Sequence, residues 1–444
     1  MILTVLCSVQ QKRGKQRSFQ EDILESPFFF QTQEVRFMRK NRFKKFGAIV
    51  MSAMLVAGCL AGCGESSAGG DGSVKEIKIG SIHPLTGSMA YEGQALVNAQ
   101  QLAIDEINAA GGIKSMGGAK LVLVTGDSKG AADVGASEAQ RLIEREGVVA
   151  LTGAYQSSVV ETTSQEAEKA GIPYVVSVGS TVSLAERGYS TFFRVQPNAE
   201  LFGSDSMKML SEIKKSDWST LAIIHEDSVM GTSTADYIKA NIDKSGMQLL
   251  DTISYSASAT TLDSDVTHLA SLNPDVLICI GYYSDTSLLF RTLNERDITF
   301  KCVLGVCNGA ISDEKFVAEF GDSVENFLNC NYSINPNSEK AQELMKKYKE
   351  KYNDEIINHA VFAYESIKVL AAALEKAGST DSEKVIEALK GLSYPKDELV
   401  AAMLGNVEFD EKGENKNASL TLIQIQDGTN KVVYPKEFAE SEIR

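Results

Sequence analysis

Beyond Gly72 the chain alternates between short β-branched runs and stretches whose apolar residues recur at helical spacing. This alternation predicts strands that take turns with helices, because side chains repeat every two residues in a strand and about every 3.6 in a helix. The first half reads, in order, KEIKIGSI, QALVNAQQLAIDEINAA, KLVLVTG, ASEAQRLIERE, VVALTGA, VVETTSQEAEKA and IPYVVSV. Such an order predicts an α/β fold with a parallel sheet that helices cover on both faces.

The pattern pauses at VQPNAE, after Arg194, and then restarts in the same manner. The second half begins with helix LFGSDSMKMLSEI and strand TLAIIHE, and it includes the strands DVLICIG and KCVLGV. After INPNSE come the helices EKAQELMKKYKEKY and HAVFAYESIKVLAAALEKAG, then NVEFD and the hairpin-like LTLIQIQDGTNKVVY. No period of about 20 to 50 residues recurs, so the sequence predicts a second sheet of the same kind and not a solenoid or a propeller.

The first helix is predicted most clearly, since both its face and its end can be read. Its apolar residues recur on one side, at Leu96, Ala99, Leu102, Ala103 and Ile107. Gly111 and Gly112 follow, and glycine readily adopts the left-handed conformation that ends a helix. We therefore expect this helix to stop just before the two glycines.

The composition is that of a globular protein of two or three domains. The chain has 444 residues, of which 43% are hydrophobic and 23% charged, and a domain usually takes about 150 residues. Its formal net charge of -15 argues against nucleic acid as a partner, because acidic surfaces repel phosphates. Its seven cysteines form no C-x-x-C pair and no Cys/His cluster, which argues against a disulfide scaffold and a metal site.

Basic residues concentrate at the N-terminus. Residues 1–62 carry a net charge of +6, which leaves -21 on residues 63–444. From Met38 the chain reads MRKNRFKK and then FGAIVMSAMLVAGCLAG, the charged, apolar and small-residue order of a secretory signal at 38–62. The apolar run is too short and too rich in small residues to predict a membrane-spanning helix.

The signal ends in a motif that predicts lipidation. LAGC, ending at Cys63, resembles the bacterial lipoprotein motif, in which a peptidase cuts before a cysteine that carries diacylglycerol. VAGC, ending at Cys59, is a weaker match, and an ordinary signal with bystander cysteines is the alternative. Residues 63–74 form a Gly/Ser-rich tether, and two or three acyl chains would anchor it stably to the outer face of the bacterial cell membrane.

Residues 1–37 precede this signal and show neither a repeat nor a clean periodicity. We hypothesise that translation starts at Met38 and that residues 1–37 are a non-native leader. An unusual extended leader is the alternative, and a native precursor peptide that maps upstream of Met38 would establish it.

Five strand-to-helix loops are candidates for a binding site, because ligands of parallel sheets bind beyond the carboxyl ends of the strands. They are HPLTGSMAYEGQ, GDSKG, GAYQSS, VGSTVS and GYYSD. GAYQSS and VGSTVS place small hydroxyl residues and free amides at helix starts, where anions bind, although plain helix capping uses the same residues. Asp285 in GYYSD could likewise be a helix cap. Together, hydroxyl loops in one lobe and a carboxylate in the other suit a ligand with a carboxylate and an ammonium group.

Several motifs follow one another in an order that is typical of one family. They are IKIGSIHPLTG with Gly93, AIDEINAAGGI, GAYQSS, AGIPYVVSVGST followed by ERGYSTFFR, GYYSD and AYESIKVLAAALEKAG. From about Lys75 to about Tyr434 the chain therefore resembles the branched-chain amino-acid binding proteins of ABC importers, of the type I periplasmic-binding-protein family.

The resemblance implies two doubly wound α/β lobes joined by three crossovers. One lobe would comprise 75–197 and about 331–405, and the other about 198–330 and 406–444. The implied protein is a monomer that traps a small solute between its lobes, passes it to an ABC permease and its ATPase, and needs no cofactor. A sensory module for a receptor is the alternative use of this fold, and a carboxylate or amide without an amine is the alternative ligand.

The resemblance also assigns residues to the ligand. Ser157 and Thr181 would supply hydroxyl and amide groups to the ligand carboxylate, together with the backbone at Gly179 and Ser180. Asp285 stands where the family carries the acid that pairs with the α-amine.

Some positions of the implied pocket depart from the family pattern, and others are assigned less exactly by it. Tyr91 and Glu92 precede Gly93, so the pocket aromatic of relatives is either shifted to Tyr91 or replaced by Glu92. Met230 stands where relatives often have an aromatic residue, and Tyr283, with its neighbour Tyr282, fits the wall of the pocket.

The cysteines of the second lobe are expected to be free buried thiols: Cys279, Cys302, Cys307 and Cys330.

A serine hydrolase is a further alternative. Gly126-Asp127-Ser128-Lys129-Gly130 follows a predicted strand and matches the G-x-S-x-G nucleophile pattern at Ser128. The four histidines show no context that singles out a base, and no HGGG-type loop lies upstream. We therefore expect a protein without catalytic activity.

Overall fold

Strands and helices alternate through residues 75–444, the part of the chain that the computed structural model describes. The predicted start at Met38, the signal at 38–62, and the lipidation candidates Cys63 and Cys59 lie outside the described residues. No helix of the described part is both long and apolar enough to span a membrane.

The strands of the described part number twelve, and most of them match the runs that the sequence predicts. In chain order they are β1 Glu76–His83, β2 Lys120–Asp127, β3 Ala150–Gly153, β4 Tyr174–Val176, β5 Phe192–Arg194, β6 Thr220–Glu226, β7 Gln248–Tyr255, β8 Val276–Ile280, β9 Cys302–Val306, β10 Leu328–Asn331, β11 Thr421–Gln426 and β12 Thr429–Tyr434.

Eleven α-helices connect the described strands. They are α1 Ala90–Ala109, α2 Ala132–Arg141, α3 Ser157–Ala170, α4 Ala199–Ile213, α5 Val229–Ala240, α6 Asp263–Leu272, α7 Tyr283–Glu295, α8 Glu314–Phe320, α9 Glu339–Tyr352, α10 Asn358–Ala377 and α11 Ser382–Lys390.

The strands form two sheets. The first has the order β2-β1-β3-β4-β5 and is parallel throughout. The second has the order β12-β11-β10-β9-β8-β6-β7. Strands β10, β9, β8, β6 and β7 run parallel to one another, whereas β11 and β12 form an antiparallel hairpin that pairs with β10 through β11. Two doubly wound sheets were expected, and the prediction is confirmed.

Three crossovers join the two lobes. The chain leaves the first sheet after β5, and α4 then packs against α5 beside the second sheet. It returns after β10, since α9 and α10 pack against α1 of the first lobe. It crosses a third time before β11, which pairs with β10 in the second sheet.

Helix α10 forms much of the first lobe's core. Fourteen of its 20 residues are buried, and its alanines let it lie close to α1. Gly378, with φ of 55°, ends it in the left-handed conformation. The same device ends α1, since Gly111 and Gly112 have φ of 109° and 72°, as the sequence predicts.

Two segments after α10 differ from a simple continuation of the pattern. Helix α11 was not among the predicted elements, and Asp381 caps it by accepting the amide N–H of Lys384 at 3.1 Å. NVEFD makes only isolated bridges, from Val407 to Tyr394 and from Phe409 to Asn415. Helix α11 and NVEFD both lie in the segment between α10 and β11, where contacts with distant parts of the chain determine the conformation.

Glu365 ties α10 to this crossover. The side chain is fully buried, and its Oε1 accepts the amide N–H groups of Val400 at 2.6 Å and Ala401 at 3.3 Å. Burial raises the pKa of Glu365 from 4.5 to about 7. The unfolded chain therefore loses this proton at a lower pH than the folded one, so the contribution of Glu365 to stability falls as pH rises from about 4.5 to about 7.

We expect Glu365→Ala to lower the free energy of unfolding by about 2–4 kcal/mol at pH 6, since two buried N–H groups lose their acceptor. Glu365→Gln keeps that acceptor and cannot ionise, so its stability should depend less on pH between about 5 and 7. Urea unfolding at several pH values measures both effects. An alanine variant as stable as the wild type would show that the crossover is held by other contacts.

Candidate functional site

A cavity of about 20 Å³ lies where the carboxyl ends of the two sheets meet. This is roughly the space of one water molecule, so the lobes are closed on each other. Its lining comes from both lobes and from the crossovers: Tyr155, Val178, Ser180, Met230, Gly281, Tyr282, Cys307, Gly309, Tyr332 and His359. The position agrees with the expectation that strand-to-helix loops build the site.

Aromatic rings form the walls of the cavity and bring the lobes into contact. The ring of Tyr155, after β3, lies 5.4 Å from that of Tyr282 in the second lobe. The ring of His359 in α10 lies 5.6 Å from Tyr155 and 5.5 Å from Tyr332. Burial lowers the pKa of His359 to about 4, so this histidine is neutral at physiological pH. The walls therefore offer apolar faces with few polar edges.

Ser157 connects two of the predicted loops. It is the first residue of α3, and its hydroxyl does not cap that helix. Its Oγ accepts the amide N–H groups of Ser180 at 3.2 Å and Thr181 at 3.3 Å, so plain helix capping is the wrong explanation for Ser157. Thr181 Oγ1 and the hydroxyl of Tyr155 are buried and have no hydrogen-bond partner among the described residues. In this closed arrangement Ser157 occupies the amides of Ser180 and Thr181, and the hydroxyls of Tyr155 and Thr181 are free.

Gly179 belongs to the same wall through its backbone. Its carbonyl oxygen accepts hydrogen bonds from Arg194 Nη1 and Gln196 Nε2, both at 3.0 Å. Arg194 Nη1 also donates to the carbonyl of Thr181 at 2.9 Å, and the rest of the guanidinium pairs with Glu414. Arg194 therefore fixes the shape of the loop without lining the cavity.

Asp285 lies in the first turn of α7, against the cavity. A Cβ at Gly281 would come within 2.4 Å of Asp285 Oδ2, so the carboxylate directly adjoins this lining glycine. The hydroxyl of Tyr255 donates to Oδ2 at 2.7 Å, and the amide of Tyr282 donates to Oδ1 at 3.1 Å. Asp285 is 4% exposed, and burial raises its pKa to about 7. The structure shows the helix-end contact, and it places Asp285 behind the lining residues Gly281 and Tyr282 and not in the lining itself.

Glu226 adds a second acid behind this wall. It is fully buried and accepts hydrogen bonds from Ser228 N at 2.6 Å, Ser228 Oγ at 2.7 Å and Gly231 N at 2.8 Å. Burial raises the pKa of Glu226, and its charge contributes to the raised pKa of Asp285. No lysine or arginine lines the cavity, and a bound cation would favour the ionised forms of these two acids.

Tyr91 and Tyr283 lie at the rim and not in the enclosed cavity. Their rings are 6.0 Å apart across the two lobes. The hydroxyl of Tyr91 donates to Asp313 Oδ2 at 3.3 Å, and Lys315 Nζ lies 3.6 Å from the centre of the Tyr91 ring. Of the two tyrosines predicted as wall residues, Tyr282 lines the cavity and Tyr283 does not.

Ser128 has no catalytic surroundings. It is fully buried, and its Oγ accepts only the amide N–H of Gly130, at 3.4 Å. None of the described histidines hydrogen-bonds to it. Within residues 75–444 no group of three His, Cys, Asp or Glu side chains is arranged to hold a metal ion.

The second-lobe cysteines are free thiols in the described part, as predicted: Cys279, Cys302, Cys307 and Cys330. Cys307 lines the cavity, and its Sγ lies 3.7 Å from Ser180 Oγ in the other lobe. Burial raises the pKa of the Cys307 thiol to about 12, so it is protonated and unreactive as a nucleophile.

Several residues of the site have no individual assignment in the sequence analysis. Tyr155 lies inside GAYQSS and Arg194 inside ERGYSTFFR, so the motifs contained them without indicating what they contact. Tyr332 directly follows β10, and His359 lies at the start of α10. Only the folded chain brings those two beside the loops, and no local pattern marks them.

The family profile described as periplasmic binding protein matches residues 76–430. The chain is 30% identical over 401 residues to Leu/Ile/Val-binding protein homolog 8 of Brucella suis biovar 1 (strain 1330), covering 88% of this chain and 98% of that protein.

Solved structures share the fold. The branched-chain amino acid transporter substrate binding protein LivJ from Streptococcus pneumoniae, in complex with isoleucine, matches with a TM-score of 0.69 and 23% identity over 81% of this chain and 100% of that chain. A solute binding protein of an ABC transporter from Rhodopseudomonas palustris BisB5, in complex with 3,4-dihydroxy benzoic acid, matches with a TM-score of 0.70 and 20% identity, covering 83% and 98%.

Proposed function

This chain belongs to the periplasmic binding protein family, and on that basis we propose that it captures an α-amino acid for an ABC importer. Membership makes it an extracytoplasmic solute-binding protein and not an enzyme, in agreement with the expectation from its sequence. The amino acid, the permease and the lipid anchor are parts of the proposal.

The opposed chemistry of the two walls carries this proposal. The first lobe gathers the amides of Ser180 and Thr181 on the Ser157 hydroxyl and leaves the hydroxyls of Tyr155 and Thr181 free. A carboxylate could take the place of Ser157 Oγ at the two amides and accept from the free hydroxyls. The second lobe presents the buried carboxylate of Asp285, backed by Glu226. An α-amino acid has both complementary groups on one carbon atom. We infer that Ser157, Ser180, Thr181 and the backbone at Gly179 hold its carboxylate.

The ammonium group is assigned to Asp285. A carboxylate this deeply buried is costly when ionised, and a pKa of about 7 expresses that cost. A bound ammonium would stabilise the ionised form of Asp285. Closure of the second lobe would bring the two charges together and complete the ion pair. Ligand favours closure only by as much as it binds the closed form better than the open one.

Entry of the ligand requires the lobes to separate. A cavity of about 20 Å³ does not admit an amino acid. The crossovers provide the connection about which the lobes would open. The solute then binds the first lobe, and closure brings Asp285 onto its amine and forms the surface that docks on the permease.

The sequence supports a lipid anchor, and the composition of the site supports a monomer. Lipidation of Cys63, or of Cys59 in the weaker match, would hold the protein at the outer face of the cell membrane, and residues 63–74 would let the lobes reach the permease. We propose that a monomer suffices, since both walls of the site belong to one chain.

An aromatic or aliphatic carboxylic acid is the second candidate ligand. The R. palustris neighbour binds 3,4-dihydroxy benzoic acid, which has a carboxylate and no amine. In that case the first-lobe wall would bind the acid and Asp285 would act only at the helix end.

Thermal unfolding of the ligand-stripped protein distinguishes the two candidates. At about a thousand times its dissociation constant a true ligand should stabilise the folded state by about 4 kcal/mol. We expect α-amino acids to raise the unfolding temperature and the corresponding acids without an amine to leave it unchanged. Stabilisation by amine-free acids alone would contradict the amino-acid assignment.

A further inference from the structure

Glu92 is a buried acid that has no partner. It lies in the first turn of α1 and is 2% exposed. Neither of its carboxylate oxygens has a hydrogen-bond partner among the described residues. The other buried acids near the cleft differ in this respect: Glu226, Asp285 and Asp313 all accept hydrogen bonds.

The fold places Glu92 at the cleft edge of the first sheet. Helix α1 follows the loop after β1, so its first turn lies at the same sheet edge as the loops after β3 and β4. Gly93 fixes this turn, because a Cβ there would come within 1.9 Å of the carbonyl oxygen of Pro84. The turn and the loop therefore pack directly on each other, and Glu92 has a defined position.

The groups around Glu92 come from both lobes. Its charge contributes to the raised pKa of Tyr155, which lines the cavity, and to that of Tyr283 in the second lobe. Burial, with a smaller contribution from the charge of Asp313, raises the pKa of Glu92 itself to about 7. Lys315 lies close by but is engaged elsewhere, with Nζ 2.9 Å from Asp354 Oδ2.

An unpartnered carboxylate in this place costs stability, because its oxygens have lost water and gained no donor. Other side-chain atoms at this edge of the first lobe share that condition: both ring nitrogens of His83, Gln156 Oε1, and the hydroxyls of Tyr155, Ser177 and Thr181. A ligand in the cleft could satisfy Glu92 together with the hydroxyls of Tyr155 and Thr181. Glu92, unlike the hydroxyls, accepts hydrogen bonds only and is negative when ionised, so the matching ligand group is a cation with N–H donors.

We propose that Glu92 binds a second, positively charged group at the far end of the solute, which makes the solute a basic α-amino acid. The proposal rests on the assignment of an α-amino acid above and names its class. Lysine, ornithine and arginine each carry an α-carboxylate for the first lobe, an α-ammonium for Asp285 and a distal cation for Glu92.

Calorimetric titration of the full chain, purified in mild detergent, tests the assignment. L-lysine is compared with L-norleucine, which has a methyl group in place of the distal aminomethyl group. We expect lysine to bind at least about 30-fold more tightly, in the range of charge-assisted hydrogen bonds in buried sites. Binding should also strengthen as pH rises from about 6 to 8, because the cation pairs with the ionised form of a carboxyl whose pKa is about 7.

Two variants isolate the role of Glu92. Glu92→Gln should reduce the preference for lysine over norleucine about tenfold or more and weaken its pH dependence. Glu76→Gln is the matched control, since Glu76 is an exposed residue of β1 in the same lobe. Without ligand, Glu92→Gln should unfold at a temperature equal to or above that of the wild type, which shows that the variant folds.

The outcomes separate this inference from the function on which it rests. If norleucine binds as tightly as lysine, or if Glu92→Gln leaves their ratio unchanged, the assignment of Glu92 is wrong and the amino-acid assignment stands. If no α-amino acid binds and only amine-free acids do, both are wrong.

Discussion

Replacing Asp285 by alanine is expected to lower the affinity for the α-amino-acid ligand about 100-fold, since truncating one partner of a buried charge pair costs about 2–5 kcal/mol. The ligand ammonium would lose the carboxylate that lies directly behind Gly281, in a cavity whose lining contains no acidic side chain. Glu226 already accepts three hydrogen bonds against two at Asp285, so it has less capacity left for an ammonium. Calorimetric titration measures the dissociation constant directly.

Asp285→Asn and Tyr255→Phe separate charge from helix geometry. Asparagine keeps an oxygen for the amide of Tyr282 and loses the negative charge, so we expect stability close to that of the wild type and a large loss of affinity. Tyr255→Phe removes one donor to Asp285 and leaves the charge, so its affinity should fall much less. Wild-type affinity in Asp285→Asn would establish the helix-cap alternative and contradict the ammonium assignment.

The pH dependence gives an independent measure of the same ion pair. The pKa of Asp285 is about 7 without ligand, and an ammonium favours the ionised carboxylate, so binding lowers that pKa and releases a proton. Affinity should therefore rise between about pH 6 and 8 and become flat above this range. In Asp285→Asn this part of the rise should disappear, while the part due to Glu92 should persist.

Most of the fold could be predicted because its signals are local. Strands of buried parallel sheets are short runs of β-branched residues, and glycines such as Gly111 and Gly378 end helices through their own backbone conformation. Helix α11 was not predicted, because it is short and lies within a crossover. The three crossovers came from family resemblance, and the order of strands in the sheets was not predicted, since no local pattern specifies which distant strands pair.

The candidate site likewise has features that the sequence indicates and contacts that only the folded chain shows. GAYQSS and VGSTVS could be singled out because hydroxyls and glycines at strand ends are visible in the sequence. That Ser157 joins the two loops and leaves α3 uncapped depends on a contact over 23 residues. His359 and Tyr332 reach the cavity only through packing of the crossover. Glu92 was visible as a departure at its position, yet its lack of a partner is a property of the folded chain alone.

Arg194 shows how the chain holds its binding loop at a distance from the ligand. The side chain is fully buried and donates to the carbonyls of Gly179 and Thr181 on one side. On the other side it pairs with Glu414, which lies in the third crossover, shortly before β11. One guanidinium therefore connects the loop after β4 to this crossover.

We expect Arg194→Met to lower the free energy of unfolding by about 3–5 kcal/mol, because it leaves Glu414, whose side chain is only 15% exposed, without its ion-pair partner. Two loop carbonyls also lose their donor, so the amides of Ser180 and Thr181 should be less well placed and ligand affinity should fall. Urea unfolding gives the first quantity, and calorimetry under conditions where the variant is folded gives the second.

Glu414→Gln and Arg194→Lys show which contact is responsible. If Arg194 acts through the ion pair, Glu414→Gln should reproduce most of the stability loss and leave affinity nearly unchanged. Lysine keeps the charge but lacks the planar fork that reaches Glu414 and both carbonyls together, so Arg194→Lys should recover part of the stability and little of the affinity. A folded Arg194→Met protein with the wild-type dissociation constant would show that the loop keeps its shape without the arginine, and that the residue serves folding alone.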